Sequence, residues 1–122
     1  MLNPLRNWHM KKIEATIQRS KINIIAEAMD NMVSGFTIIE GNGRGLGKRH
    51  SIRSERGTKM QTEEFNKVSI IQTIVDDSIV EKVSKTIEDL AYTGEKSDGI
   101  ITVSNIESVL NISSKERDSK AL

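Results

Sequence analysis

The chain predicts an α+β sandwich, a four-stranded antiparallel sheet with two helices on one face and a long loop between strands 2 and 3. Three observations lead there. Two stretches carry apolar residues at helical spacing, each stands between segments of β-branched, strand-like pattern, and a glycine-rich basic stretch separates the two strand-helix-strand units. At 122 residues the chain has room for one hydrophobic core and no second. Residues 1–10 form an N-terminal extension containing Pro4, the single proline, and residues 11–122 form the domain.

From Lys11 the pattern alternates, with Ile13, Ala15 and Ile17 on one side and Lys12, Glu14, Thr16 and Gln18 on the other, as in a half-buried strand. Ser20 or Asn23 is placed to cap a helix running to about Val33, whose apolar stripe is Ile22, Ile25, Ala26, Met29, Met32 and Val33. Ser34-Gly35 is the expected stop, and Phe36 to Glu40 reads as a second strand. Lys67 to Val75 is the third strand. Asp76, Asp77 and Ser78 follow as an acidic cap for a helix with Ile79, Val83, Ile87 and Ala91 on its buried stripe. Residues 93–99 form a second turn-rich loop, Ile100 to Val103 a fourth strand, and Ile106 to Leu110 a short helical turn. The order β-α-β-(long loop)-β-α-β is that of a ferredoxin-like sandwich. Ile39, Ile71, Val75 and Ile100 are apolar on the alternate register, so the open face of the sheet is expected to pack against another copy of the chain.

The long loop, residues 41–66, is where function is expected. Four of the eight glycines fall between Gly41 and Gly47, and from Gly41 to Lys59 six Lys/Arg face a single acid, Glu55. The whole chain is nearly neutral at +1, so the positive charge is local. That argues against a general nucleic-acid binder, and four aromatic residues are too few for base-stacking platforms. With no cysteine there is no disulfide framework, thiol nucleophile or zinc finger, and the expected compartment is the cytoplasm.

Catalytic patterns are missing. The phosphate-loop pattern fails because Asn42 and Arg49 stand where glycine and Ser/Thr are needed, and the dinucleotide pattern G-x-G-x-x-G fails on spacing. A looser anion-binding nest of glycine N–H groups stays open beside a plain flexible loop. His9 and His50 have no nucleophile or orienting carboxylate beside them in sequence, so no enzyme is expected. Asp76-Asp77 is better explained by capping than by metal binding, and no intrinsic metal is predicted.

From Met10 to Leu122 the chain resembles the PII-type nitrogen-regulatory signal proteins. The likeness rests on Met10-Lys11-Lys12-Ile13-Glu14-Ala15, Ser34-Gly35-Phe36-Thr37, Gly43-Arg44-Gly45, Arg56-Gly57, Lys67-Val68, Thr93-Gly94 with Asp98-Gly99, and the closing Glu116-Arg117-Asp118 to Ala121-Leu122. It implies a homotrimer with ATP or ADP between subunits and 2-oxoglutarate sensed at the base of the long loop, called the T-loop. It further implies that the T-loop docks on a membrane transporter of the ammonium-transporter type or on an enzyme of nitrogen metabolism. The nucleotide and effector positions carried over are Thr37, Gly43, Gly45, Lys67, Thr93, Gly94, Asp98 and Gly99, and the docking positions are Arg56 and Gly57.

The departures are specific. The family's glutamine at the loop base is Gly47 here, its lysine after Asp-Gly is Ile100, two phosphate-holding arginines are Asn111 and Ser113, and its modifiable tyrosine is Met60. Charge-assisted hydrogen bonds are worth roughly 1.5–3 kcal/mol each, so weak or altered nucleotide binding is expected. Two readings follow: a regulatory module that senses a small effector, or an interaction protein on the same scaffold that has lost classical ATP and 2-oxoglutarate sensing or binds another ligand. A small nucleic-acid contact through the basic loop belongs with the second.

Overall fold

The computed structural model describes residues 9–45, 51–53, 60–62 and 64–122. Strand β1 (Met10–Gln18) runs through a short 3-10 turn (Arg19–Lys21) into helix α1 (Ile22–Asp30), and β2 (Thr37–Gly43) follows. Two short strands, β3 (Ser51–Arg53) and β4 (Met60–Thr62), pair antiparallel as a separate ribbon. Then come β5 (Asn66–Asp76), a 3-10 turn (Asp77–Ile79), helix α2 (Val80–Ala91) and β6 (Gly99–Ile106). The main sheet has the order β2-β5-β1-β6 with every neighbouring pair antiparallel, the ferredoxin-like arrangement expected.

Strand alternation decides what is buried. Ile13, Ala15 and Ile17 of β1 and Ile71 and Val75 of β5 point to the helix-covered face, where Ile25 and Met29 of α1 and Val83, Ile87 and Ala91 of α2 close over them. Ile71 and Val75 therefore do not lie on the open face, as the alternate-register reading had them. Pairing places Ile39 opposite Ile70 and Ile100 opposite Thr16, so the open face is apolar through Ile39, Ile70 and Ile100, with Ile39 44% and Ile100 66% exposed.

Four local expectations are corrected. Helix α1 ends at Asp30, because Met32 and Val33 both donate to the Met29 carbonyl at 3.0 Å and tighten the last turn; Gly35 is not in the left-handed region. Its start has no Ser20 or Asn23 cap, since the 3-10 turn feeds the helix and the Ile22 N–H bonds to the Arg19 carbonyl. Strand β2 runs beyond Glu40 through Gly41 and Gly43, because β5 offers partners as far as Asn66, so the first glycines of the supposed loop are strand. Last, β6 pairs with β1 along its length to Ile106, which replaces the helical turn expected from there, and Leu110 bridges Arg117 beyond it. The Asp76 cap is as expected: its Oδ1 accepts the Ser78 N–H at 3.0 Å.

Candidate functional site

The turn between α2 and β6 is folded around one carboxylate. Asp98 accepts the N–H groups of Thr93 at 2.7 Å and Gly94 at 2.9 Å, together with the Thr93 hydroxyl. The Thr93 hydroxyl, followed by the Thr93 N–H, holds the Asp98 carboxyl below its ordinary value, so it is ionised at neutral pH. Gly94 takes φ +92° inside this turn and Gly99 takes φ +118° where it leaves. A Cβ on Gly99 would stand 1.9 Å from the Thr16 carbonyl oxygen, so only glycine lets the turn lie this close to β1. Gln18 adds a tie across the gap, its Nε2 donating to the Ser97 hydroxyl at 3.2 Å.

On the other side, β2 is fixed at its exit by Arg19. Its Nη2 donates to the Gly41 carbonyl at 2.8 Å, and its Nε stands 2.6 Å from a Glu40 carboxylate oxygen that also accepts the Ser69 hydroxyl at 2.7 Å. Arg44, just past β2, donates from Nε and Nη2 to the Glu64 carbonyl at 3.2 and 2.9 Å, and its guanidinium lies 4.7 Å from the centre of the Phe65 ring. The two ends of the long segment are thereby clamped together.

Between these two anchored edges a cleft of about 410 Å³ opens over the end of the sheet. Val68 and Ile100, on the open face of the sheet, form its apolar floor, Gly43 and Gly45 line one wall, and Gly99 lines the other. At Gly43 the wall is closely packed, since a Cβ there would meet Val68 Cγ1 at 3.2 Å. Thr93, Gly94 and Asp98 shape the cleft's edge from outside it. Lys67 is exposed and on the face away from the cleft; its neighbours Asn66 and Val68 line it instead, because successive strand residues alternate.

Thr37 lies elsewhere. It sits six residues along β2 from Gly43, about 20 Å at the usual strand rise, and lines a second cleft of about 850 Å³ with Lys12, Gln72, Asn111 and Ser114. Asn111 is occupied there: its Oδ1 accepts from the N–H groups of Ser113 and Ser114 and from the Ser113 hydroxyl, and its Nδ2 donates to the Ala121 carbonyl at 3.2 Å. The docking positions Arg56 and Gly57, and the substituted Gly47, lie outside the described residues. Sequence reading missed the structural parts of Arg19 and Arg44. Arg19 follows a strand and looks like a surface cation, and Arg44 meets Phe65 only because the chain returns.

Comparison with known proteins agrees with this fold. The model of the family described as nitrogen regulatory protein P-II matches residues 10–116. A nitrogen regulatory protein P-II of Azospirillum brasilense is 34% identical over 114 residues, covering 93% of this chain and 100% of the relative. Among solved structures, B. subtilis GlnK superposes with a TM-score of 0.73 at 27% identity, covering 93% of this chain and 99% of that one. The B. subtilis GlnK-ATP complex superposes at 0.74, covering 95% and 100%, and at 22% identity it bears on the fold alone. The chain belongs to the nitrogen regulatory protein P-II family.

Proposed function

We propose that this chain is a cytoplasmic, homotrimeric signal protein of nitrogen metabolism that binds an adenine nucleotide between subunits and docks on a transporter or enzyme through residues 41–66. It is a regulatory binding protein and not an enzyme. The observation that carries the reading is the division of the expected nucleotide positions between two clefts. Gly43, Gly45 and Gly99 meet in one, while Thr37 and Asn111 stand in the other about 20 Å away along the same sheet. One chain cannot bring them onto one ligand; two copies with the cleft of one against the second cleft of the next can. The apolar open face, with Ile39, Ile70 and Ile100, supplies a surface for such packing. The A. brasilense relative is named a nitrogen regulatory protein and the B. subtilis complex contains ATP, both in keeping with this reading.

Nucleotide binding in this chain is weak or altered. Ile100, at the cleft, offers only apolar surface, and Asn111 spends both ends of its amide on the C-terminal turn. This same observation favours the second reading, an interaction protein that no longer senses ATP and 2-oxoglutarate. Calorimetric titration with ATP, ADP and 2-oxoglutarate, run on protein whose mass is measured by light scattering, separates the two. The expected result is about three times the 13.6 kDa chain mass and nucleotide affinity in the micromolar range or weaker. A monodisperse monomer overturns the intersubunit site, and a trimer that takes up no nucleotide leaves the interaction-protein reading.

A further inference from the structure

We infer that residues 1–8 of the chain, which lie outside the described residues, fold back along the groove between α2 and β6 and cover it. The inference does not depend on the nucleotide reading, because the floor of this groove belongs to the helix-covered side of the sheet. Ile101 and Val103 stand opposite Ala15 and Ile13, two β1 residues buried under the helices, so they share that face. Because β6 is the outermost strand, Val103 stays 47% exposed beside Val80 in a groove of about 630 Å³. Glu81, Glu88 and Asp98 stand on the walls, and the described residues that line the groove include no cation. Asp98 is engaged by its own turn, and Lys85, 3.9 Å from Glu88, lies closer to Asp89 at 3.0 Å. Glu81 is exposed and has no ion-pair partner among the described residues. A groove that is apolar below and negative at its rim suits an apolar segment carrying positive charge.

Residues 1–8 have that composition. Leu2, Leu5 and Trp8 recur at every third position, Arg6 stands between the last two, and residues 1–9 contain no acid. A repeat of three matches the extended left-handed helix that Pro4 favours, and it puts the three apolar side chains on one face. The chain also enters at the right place. Met10 lies opposite Ile106 of β6, and the His9 carbonyl accepts the Asp77 N–H at 2.6 Å, so the segment starts beside the turn that opens α2, at the Val80 and Glu81 end of the groove. In that extended form residues 1–8 reach about 25 Å, more than the length of about 18 Å of helix α2. A segment that turns back at Trp8 and His9 therefore runs the length of the groove, and Arg6 passes Glu81 as it enters.

Trp8 is the single tryptophan of the chain and reports on the segment directly. The test compares its fluorescence in the full-length chain, in a groove variant carrying Glu81→Lys and Glu88→Lys, and in a control carrying Glu27→Lys and Asp30→Lys on α1, which has the same net charge. All four positions are exposed, so the substitutions leave the fold in place. In the parent and the control, Trp8 is expected to emit at shorter wavelength than in the urea-unfolded chain and to be quenched less by acrylamide. In the groove variant both readings shift to those of the unfolded chain. A parent whose Trp8 already emits and quenches as in the unfolded chain overturns the inference. So does a shielded Trp8 that the groove variant leaves unchanged, because the segment then lies elsewhere, and so does an equal shift in the control, because net charge and not the groove then governs it.

Discussion

Gly99 shows how much one residue can hold in place. Its φ of +118° is a conformation that side chains rarely adopt, and the missing Cβ leaves room for the Thr16 carbonyl oxygen, which would otherwise be 1.9 Å away. Gly99→Ala meets both penalties, so the expected loss of stability is about 1–3 kcal/mol from the backbone alone, with the steric clash adding to it. Gly35→Ala is the comparison. Nothing lies within 4 Å of its would-be Cβ and its φ is ordinary, so its effect should stay within about 0.5 kcal/mol. Denaturant titration of the two variants measures the difference; equal midpoints would mean that the Asp98 turn can move off β1 at no cost.

At the scale of elements, the entry to α2 depends on Asp76. Its carboxylate caps the 3-10 turn through the Ser78 N–H and accepts the Ser119 hydroxyl at 3.1 Å, tying the C-terminal segment to the end of β5. The Ser78 N–H, then the Ser78 hydroxyl and Ser119, lower its pKa from 3.8. A lowered carboxylate stabilises the fold in its ionised form, so the contribution is complete above 3.8 and fades as the pH falls below it, through the lowered folded value. Asp76→Ala should therefore cost about 0.5–2 kcal/mol at neutral pH, and the gap to the parent should shrink in acid below 3.8. Unfolding free energies measured across that range check it; a gap that widened on acidification would show that the carboxylate is not what caps the turn. Such a cap is visible in a sequence because its partner is two residues away. The start of α1 differs from the expectation for the converse reason, since a preceding 3-10 turn feeds the helix and its Arg19 carbonyl takes the Ile22 N–H, with no side-chain cap from Ser20 or Asn23.

For the whole molecule, the clamp at Arg44 means that the segment 41–66 leaves and re-enters the domain at one place. The chain between β2 and β5 carries the local basic excess, and its six Lys/Arg against one acid between Gly41 and Lys59 suit an acidic or carbonyl-lined partner surface. We expect Arg56 to be the principal contact, so Arg56→Ala should recover markedly less partner than the parent in a pull-down from native extract, while the mass by light scattering stays that of the parent. Equal recovery by both would remove Arg56 from that role, and a loop-deleted chain that keeps the same partners would remove the docking itself.

Local pattern determined much of this protein. Alternation in Lys11 to Gln18, the helical stripe Val83, Ile87, Ala91 and the repeated strand-helix-strand order each depend on neighbours in the chain, and they led to the sheet, both helices and the single core. The glycine-bounded turn at residues 93–99 was also legible, because a turn's chemistry is contained within a few residues. Register and long-range pairing were decided only in three dimensions. Whether Ile71 faced the helices or the solvent, whether Gly41 and Gly43 were loop or strand, and whether Lys67 reached the cleft all turn on which residue of β5 lies opposite which residue of β2, and a shift of one residue reverses every side chain. The pairing of Arg44 with Phe65 and the separation of Thr37 from Gly43 have the same origin: they are set by where distant parts of the chain meet, which no spacing along the sequence encodes.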